Sequence, residues 1–530
     1  MRQRRTVLRA ALALAFASPF ALPATALAAD AARQIVIDAK APTVARDHFA
    51  DLSVGSDYPG TLIRDDSLAQ LKIAKDELGF RYIRFHAIFH DVLGTYKVVD
   101  GKPVYDWTKI DYLYDKLLGM GIKPFVELGF TPEAMKTSDN SIFYWKGNTS
   151  HPKPDQWAGL VDAFVRHVQQ RYGKDEVRTW FFEVWNEPNL DGFWEKADQK
   201  AYFALFDLTS KTLKAIDPAL RVGGPATAGA AWVPEFLAHT QQSGAAVDFI
   251  ATHTYGVDGG FLDEEGKGDN KLSPSPDGIV GDVRKVRKEI EASYLPKLPL
   301  YFTEWSTSYS PRDLVHDSYM SAAYILSKLK ATEGLAQGMS YWTYTDLFEE
   351  PGPPTAPFEG GFGLMNPQGI RKPAWFAYKY LHELGDQLVQ TTDKQSWVTR
   401  DSKRDPDGVQ VLAWDFQTPD MGNKSNRPFF GVVQPTKNGT PLKLTLKGMA
   451  PGTYKVQVYR TGFKANDAHT AYIEMGKPKT LTSAQLAQLQ AQTVDKPETR
   501  TVKVAANGTA NLQVPMRVND VVLVKIATSR

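Results

Sequence analysis

The sequence predicts an α/β protein: a (β/α)8 TIM barrel carrying an accessory antiparallel β-sandwich. Three observations predict it. Between residues 50 and 385, eight short apolar runs alternate with stretches of helical period. No GxGxxG or P-loop follows any early run, which disfavours an open doubly wound sheet. Past residue 386 the apolar pattern changes to period two, as expected of half-buried antiparallel strands.

The candidate barrel strands are ADLSVGS (50–56), RYIRFHA (81–87), KPFVELGF (123–130), WFFEVWNE (180–187), LRVGGPA (220–226), FIATHTYG (249–256), PLYFTEWS (299–306) and GMSYWTYTD (338–346). Helical stretches lie between them. In 157–172, Leu160, Phe164 and Val168 recur at i, i+4 and share one face. Others run over 200–216, 278–292 and 317–331. The sandwich strands are VQVLAWDF (409–416), PLKLTLKG (441–448), TYKVQVYR (453–460), TVKVAAN (501–507) and DVVLVKIA (520–527). A short helix, 481–492, is expected among them with Ser483 as its N-cap. QIVIDA (34–39) precedes the barrel and is expected to pair into the sandwich. The domains are therefore residues 1–29 as a leader, 30–47 as a strand joining the sandwich, 48–385 as the barrel and 386–530 as the sandwich.

The leader reads as an export signal. Arg2, Arg4, Arg5 and Arg9 form a basic region, an apolar stretch follows from Ala10 to Leu22, and Ala26-Leu27-Ala28 precedes Asp30. The apolar stretch is too short to span a bilayer, so no membrane anchor is expected. The arginine pair also resembles a twin-arginine signal. The mature protein is expected to be periplasmic or secreted. Without those four arginines, 58 basic residues face 60 acidic ones, and the formal charge moves from +2 to −2. Nothing then favours a polyanion, and no nucleic acid is expected. The absence of cysteine excludes disulfides and thiolate chemistry, and no HExxH or EF-hand pattern suggests a metal or other cofactor. Aromatic content of 12% calls for stacking surfaces, either in a sugar cleft or in a sandwich core.

Barrel enzymes place their chemistry at the carboxyl ends of the strands. Here those ends carry His86, Phe130, Asn186 with Glu187, His253 with Tyr255, Glu304, and Trp342 with Asp346. FFEVWNEPN (181–189) is the sharpest case: a buried aromatic run ends in Asn186-Glu187 and is stopped by Pro188. A carboxyl in that setting is desolvated, which raises its pKa and suits a general acid near neutral pH. Glu304 ends strand seven, so the two glutamates face each other across the mouth. Glycoside hydrolysis requires such a pair. Loop 131–153 brings Phe143-Tyr144-Trp145, which either wall a sugar site or cover the barrel edge. Loop 257–276 reads as a mobile flap or a disordered segment, and 347–362 adds Glu349 and Glu350.

The chain resembles clan A of the glycoside hydrolases, and within it the β-xylosidases of glycoside hydrolase family 39. The resemblance rests on RYIRFHAIFHDVLGTY (81–96), KPFVELGFTPEAM (123–135), FYWKGN (143–148), FFEVWNEPNLDGFW (181–194), RVGGPA (221–226), TEWSTSYSPRDLVHDS (303–318), SYWTYTDLFEE (340–350) and GGFGLMN (360–366). It implies a retaining double displacement with Glu187 as acid/base and Glu304 as nucleophile, their carboxyls about 5–5.5 Å apart. Glu187 would be held protonated partly by the charge of Glu304. The resemblance further implies that Asn186 binds the sugar 2-hydroxyl and Tyr255 the nucleophile. His86, Phe130, His253, Tyr309, Trp342 and Glu349 would line the subsite of the non-reducing sugar. One departure is Trp305, where some relatives carry tyrosine after the nucleophile.

The implied activity is exo-hydrolysis of xylo-oligosaccharides to D-xylose. An α-L-iduronidase or an exopolysaccharide endo-glycosidase would keep the same glutamates, and a non-catalytic sugar-binding barrel would not need them both. Glu349 and Glu350 argue for a neutral sugar rather than a uronate, and the long loops argue for a closed pocket. The oligomeric state is open.

Overall fold

The computed structural model describes residues 32–403 and 405–528; the export-signal reading lies outside them. Eight parallel strands close into a barrel in sequential order. They are β1 (Ser53–Ser56), β2 (Tyr82–Phe85), β3 (Lys123–Leu128), β4 (Phe181–Val184), β5 (Arg221–Thr227), β6 (Phe249–Tyr255), β7 (Leu300–Ser306) and β8 (Gly338–Tyr341). Tyr341 of β8 pairs with Val54 of β1 to close the ring. A helix follows each strand on the outside, as right-handed βα crossovers require.

The outer ring follows the sequence pattern with small boundary shifts. The helix expected over 157–172 starts at Pro154, and buries Trp157, Leu160, Val161, Phe164, Val165 and Val168 against the barrel. Proline suits this first turn because its missing N–H has no intrahelical partner there. The next helix, Gln199–Ile216, is capped by Asp198, whose side chain accepts from the Ala201 N–H. Residues 317–331 begin as a 3-10 turn, Leu314–Asp317, before the α-helix Met320–Thr332.

Inside the barrel, side chains stack in layers two residues apart along each strand. Tyr82, Phe125, Phe181, Phe249 and Tyr301 form an aromatic plug at the amino-terminal end, with Phe125 and Phe181 stacked at 4.5 Å. Two positions further on stand Arg84, Glu127, Glu183 and Thr303, joined by His253, four positions beyond Phe249. The plug supplies the dry floor, and the polar layer above it supports the mouth. Register breaks between Thr252 and His253, and between Phe302 and Trp305. Such bulges re-aim side chains, and here Thr303 and Glu304 both serve the interior. Trp305 is fully buried on the opposite side, edge-on to Tyr341.

The sandwich comprises a seven-stranded antiparallel sheet and a three-stranded one. Arg33–Asp38 enters the small sheet parallel to Leu442–Lys447, so this part is mixed rather than wholly antiparallel. Ile35, Ile37, Leu444, Val411, Val456, Leu512 and Val524 fill the space between the sheets. The helix inside the sandwich, Ser483–Ala491, is capped by Thr482 in a capping box with Gln485 rather than by Ser483. The sandwich shares one apolar core with the barrel helices through Trp397, Leu412, Trp414 and Leu523. Trp414 Nε1 donates to Ser327 Oγ at 2.7 Å, and Trp397 Nε1 to Glu333 Oε1 at 3.0 Å.

The expected flap is a β-hairpin, Val257–Leu262 and Gly268–Leu272. A sandwich-side segment holds it down. The Leu272 N–H donates to Asn426 Oδ1 at 2.7 Å, and the Arg427 N–H to Asp269 Oδ2 at 2.9 Å. The Arg427 guanidinium also pairs with Asp263. The charges that read as solvated loop are matched by a partner more than 150 residues away, which local pattern does not reveal.

Candidate active site

Glu187 and Glu304 meet across the mouth. One carboxylate oxygen of each and a ring nitrogen of His253 all lie within 4.8 Å of one another. An inverting pair would stand about 6.5–9.5 Å apart, leaving room for water; this spacing belongs to the retaining class. Glu187 follows β4 through a backbone reversal, with φ of 46° at Glu187 itself. Its N–H is fixed by Ala226 O at 2.8 Å. A non-glycine residue in the left-handed region carries strain, here at the position that presents the carboxyl.

Arg84 organises the layer below. Its Nε donates to Glu183 Oε2 at 2.5 Å, Nη1 to Glu304 Oε1 at 2.6 Å and Nη2 to Asn186 Oδ1 at 2.8 Å. Nη2 also stands 3.1 Å from Glu127. Tyr255 OH donates to the other oxygen of Glu304 at 2.7 Å. Glu304 is thereby gripped from two sides by donors, which aims its carboxylate. With Oδ1 taken by Arg84, the Asn186 amide nitrogen faces the cavity with no protein partner. A buried orphan donor of this kind awaits a ligand acceptor.

The cavity has a volume of about 470 Å³, within the range of small-molecule sites. Of the anticipated residues, His86, Asn186, Glu187, Tyr255, Glu304, Tyr309 and Trp342 line it. Three do not. Phe130 stands behind His86 and Trp145, with ring centroids at 6.2 and 6.1 Å. His253 is fully buried beneath Glu187, with Nδ1 2.9 Å from Glu187 Oε1. Glu349 turns away to Arg64 at 3.0 Å, and its neighbour Glu350 lines the cavity instead. Asp346 is also withdrawn, paired with buried Lys372 at 2.6 Å. Loop 131–153 covers the edge: Phe143 stacks on His86 at 5.7 Å, and Trp145 Nε1 donates to Asp57 at 3.0 Å.

Burial sets the proton inventory. It lifts the Glu187 carboxyl to about 7, against the opposing pull of the His86 and Arg84 cations. Burial, not the charge of Glu304, is the leading cause. Arg84, in contact with Glu304, meets that charge locally. Burial also lifts Glu350 to about 8, with the His86 hydrogen bond opposing. Burial drives His253 down to about 3, so its ring is neutral. Burial disfavours charge on His86 too, but Glu127 and Glu350 override it and hold the pKa well above the usual value. The spacing of Glu187, His253 and Glu304 alone would admit a small cation, but Arg84 already supplies the positive charge there.

Sequence reasoning passed over Arg84, Glu127 and Glu183, although charges at inward positions of apolar strands were a usable signal. Leu190, Phe193, Ala228, Gly229, Asp282 and Phe362 also line the cavity. They come from loops and a helix start, which strand-end reasoning does not reach.

A closed barrel with this carboxylate pair in a pocket defines a glycoside hydrolase, an enzyme acting on carbohydrate. The model of glycosyl hydrolases family 39 matches residues 33–511, and the chain belongs to that family. It is 40% identical over 371 residues to a β-xylosidase of Geobacillus stearothermophilus, covering 68% of this chain and 73% of that one. It is 37% identical over 439 residues to a β-xylosidase of Caldicellulosiruptor saccharolyticus, covering 82% and 86%. Among solved structures, a monomeric β-xylosidase from Caulobacter crescentus CB15 superposes with a TM-score of 0.91 at 65% identity, covering 94% of this chain and all of that one.

Proposed function

We propose that this enzyme is a retaining, exo-acting β-xylosidase that releases D-xylose from the non-reducing ends of xylo-oligosaccharides. The observation that carries the mechanism is the carboxylate spacing within 4.8 Å. Glu304 attacks the anomeric carbon while Glu187 gives its proton to the departing oxygen. The carbon–oxygen bond to the leaving group breaks as the glycosyl ester forms. Glu187, now a carboxylate, takes a proton from water, which attacks the anomeric carbon as its bond to Glu304 breaks and frees the Glu304 carboxylate. Two inversions leave the configuration unchanged.

The Asn186 amide donates to the sugar 2-oxygen, and His86 and Glu350 meet other hydroxyls. Trp342 and Phe362 offer apolar surface to the ring face. Neither lysine nor arginine is among the residues lining the cavity, which supports a neutral sugar over a uronate. Within the described residues no helix is long and apolar enough to cross a membrane. The basic-then-apolar amino terminus supports export to the periplasm or beyond, and a mature chain beginning near Asp30 is the expected result of amino-terminal sequencing.

The test is a panel of nitrophenyl xyloside, arabinoside, glucoside and iduronide with the purified enzyme, with the first-formed anomer read by NMR. Release of β-xylose as the dominant activity supports the proposal. Preference for iduronide, or initial release of α-xylose, would overturn it.

A further inference from the structure

The Glu187 carboxyl stands at the end of a hydrogen-bond chain that descends into the barrel. At its base, Glu183 Oε2 accepts from Arg84 Nε at 2.5 Å. Its other oxygen, Oε1, accepts from Thr303 Oγ1 at 2.6 Å. A hydroxyl has one hydrogen. Given to Glu183, it leaves Thr303 Oγ1 as an acceptor toward His253 Nε2, 3.2 Å away. The ring hydrogen therefore sits on Nε2. A neutral imidazole has only one, so Nδ1 carries a lone pair. That lone pair faces Glu187 Oε1 at 2.9 Å. Two lone pairs make no hydrogen bond, so this contact needs a proton on Glu187.

We propose that Thr303, oriented by Glu183, fixes the His253 tautomer and thereby keeps the proton on Glu187 until the leaving oxygen takes it. The proposal rests on the reading of Glu187 as the acid. Thr303 and Glu183 are positioning residues, since neither lines the cavity. After proton transfer, the Glu187 carboxylate faces the Nδ1 lone pair, which strengthens it as a base toward water.

The surroundings do not select this tautomer unaided. Glu304 Oε2 lies 3.6 Å from the same Nδ1, so a hydrogen there would find two carboxylates. Arg84 bridges Glu183 and Glu304, His86 is held by Glu127 and Glu350, and Tyr255 is committed to Glu304. Asp282, in the first turn of the helix Val280–Glu291, is occupied by Thr254 at 2.6 Å. Among the described residues, only the Thr303–Glu183 bond dictates which ring nitrogen carries the hydrogen. Burial lifts Glu183 to about 6 against the Arg84 charge, and the hydrogens it receives from Arg84 and Thr303 hold both of its oxygens as acceptors.

Thr303→Val keeps the shape and removes the hydroxyl. His253 is then free to place its hydrogen on Nδ1 and donate to the Glu187 carboxylate, which stabilises the ionised form. The basic limb of kcat/KM on a substrate with a poor leaving group should move down by about one pH unit. Thr303→Ser should restore the wild-type profile. An unshifted valine profile, or a serine profile shifted equally, overturns the proposal. A second measurement needs no variant: in ¹⁵N-histidine-labelled wild-type enzyme, the ring nearest the Thr303 methyl should show the Nε2–H tautomer at neutral pH. The two failures are separable. Equal losses on good and poor leaving groups in Glu187→Ala overturn the acid reading and this proposal with it. An Nδ1–H ring beside a normal Glu187→Ala phenotype overturns the tautomer lock alone.

Discussion

His86 is bonded to Glu350 and not to Glu349: its Nε2 lies 3.1 Å from Glu350 Oε1, while Glu349 faces Arg64 at 3.0 Å. Adjacent residues in one loop thus have opposite fates, one drawn into the cavity and one left at the rim. The inward one is set beside a cationic ring held from below by Glu127 at 2.7 Å.

Removing these two carboxylates should therefore have unequal effects. Glu350→Ala removes a buried acceptor of the His86 cation, a charge-assisted contact worth about 1.5–3 kcal/mol, or roughly 10- to 150-fold in kcat/KM if felt in the transition state. Glu349→Ala breaks only a partly exposed ion pair, worth about 0–1 kcal/mol. Steady-state kinetics of both variants on nitrophenyl xyloside checks the order. Comparable losses would place Glu349 against the substrate after all.

Glu304→Ala removes the nucleophile while leaving Glu187 in place. Turnover of aryl xylosides should fall by at least about a thousandfold. Added azide can occupy the vacated space and attack from the face Glu304 used, so α-xylosyl azide should accumulate. In Glu187→Ala the ester forms normally with activated leaving groups, and azide should instead give the β product. Product stereochemistry by NMR separates the two roles.

The burial of Glu187 gives the pH profile a sign. An acid must be protonated to act, and this carboxyl titrates at about 7. Activity on xylobiose should decline as pH rises through that value, in kcat/KM, which reports the free enzyme. Aryl xylosides whose leaving groups need no proton should lose far less in the glycosylation step. A profile on xylobiose flat to pH 9 would contradict the assignment.

The barrel and its two glutamates were legible because both are local signals: apolar runs ending in polar residues, and helices between them. Arg84 was hidden in plain sight, since an arginine inside RYIRFHA reads as a strand residue until Glu127, Glu183 and Glu304 converge on it. Glu349 and Glu350 could not be told apart, because loop backbone decides which one turns inward. The hairpin 257–272 was obscure for a different reason. Its order depends on Asn426 and Arg427, which only the folded chain brings near.

That dependence makes Asn426 a test of how the sandwich acts on the site. It is fully buried, accepts from Leu272 N–H at 2.7 Å and donates to Asp313 Oδ2 at 2.8 Å. Asn426→Ala leaves the hairpin N–H and the buried Asp313 carboxylate short of a partner, at a cost of about 1–3 kcal/mol. Burial already holds the Asp313 pKa above its usual range, with His316 and Asn426 opposing, so losing the amide should raise it further. The loss falls on the hairpin, which reaches the cavity through the bond from Tyr309 OH to Asn270 Oδ1 at 2.8 Å. Neither carboxylate of the catalytic pair is touched. KM for xylo-oligosaccharides should therefore rise more than kcat falls, and hydrogen exchange should quicken across 257–272. Faster exchange without a change in KM would mean that the hairpin covers the site but does not shape it.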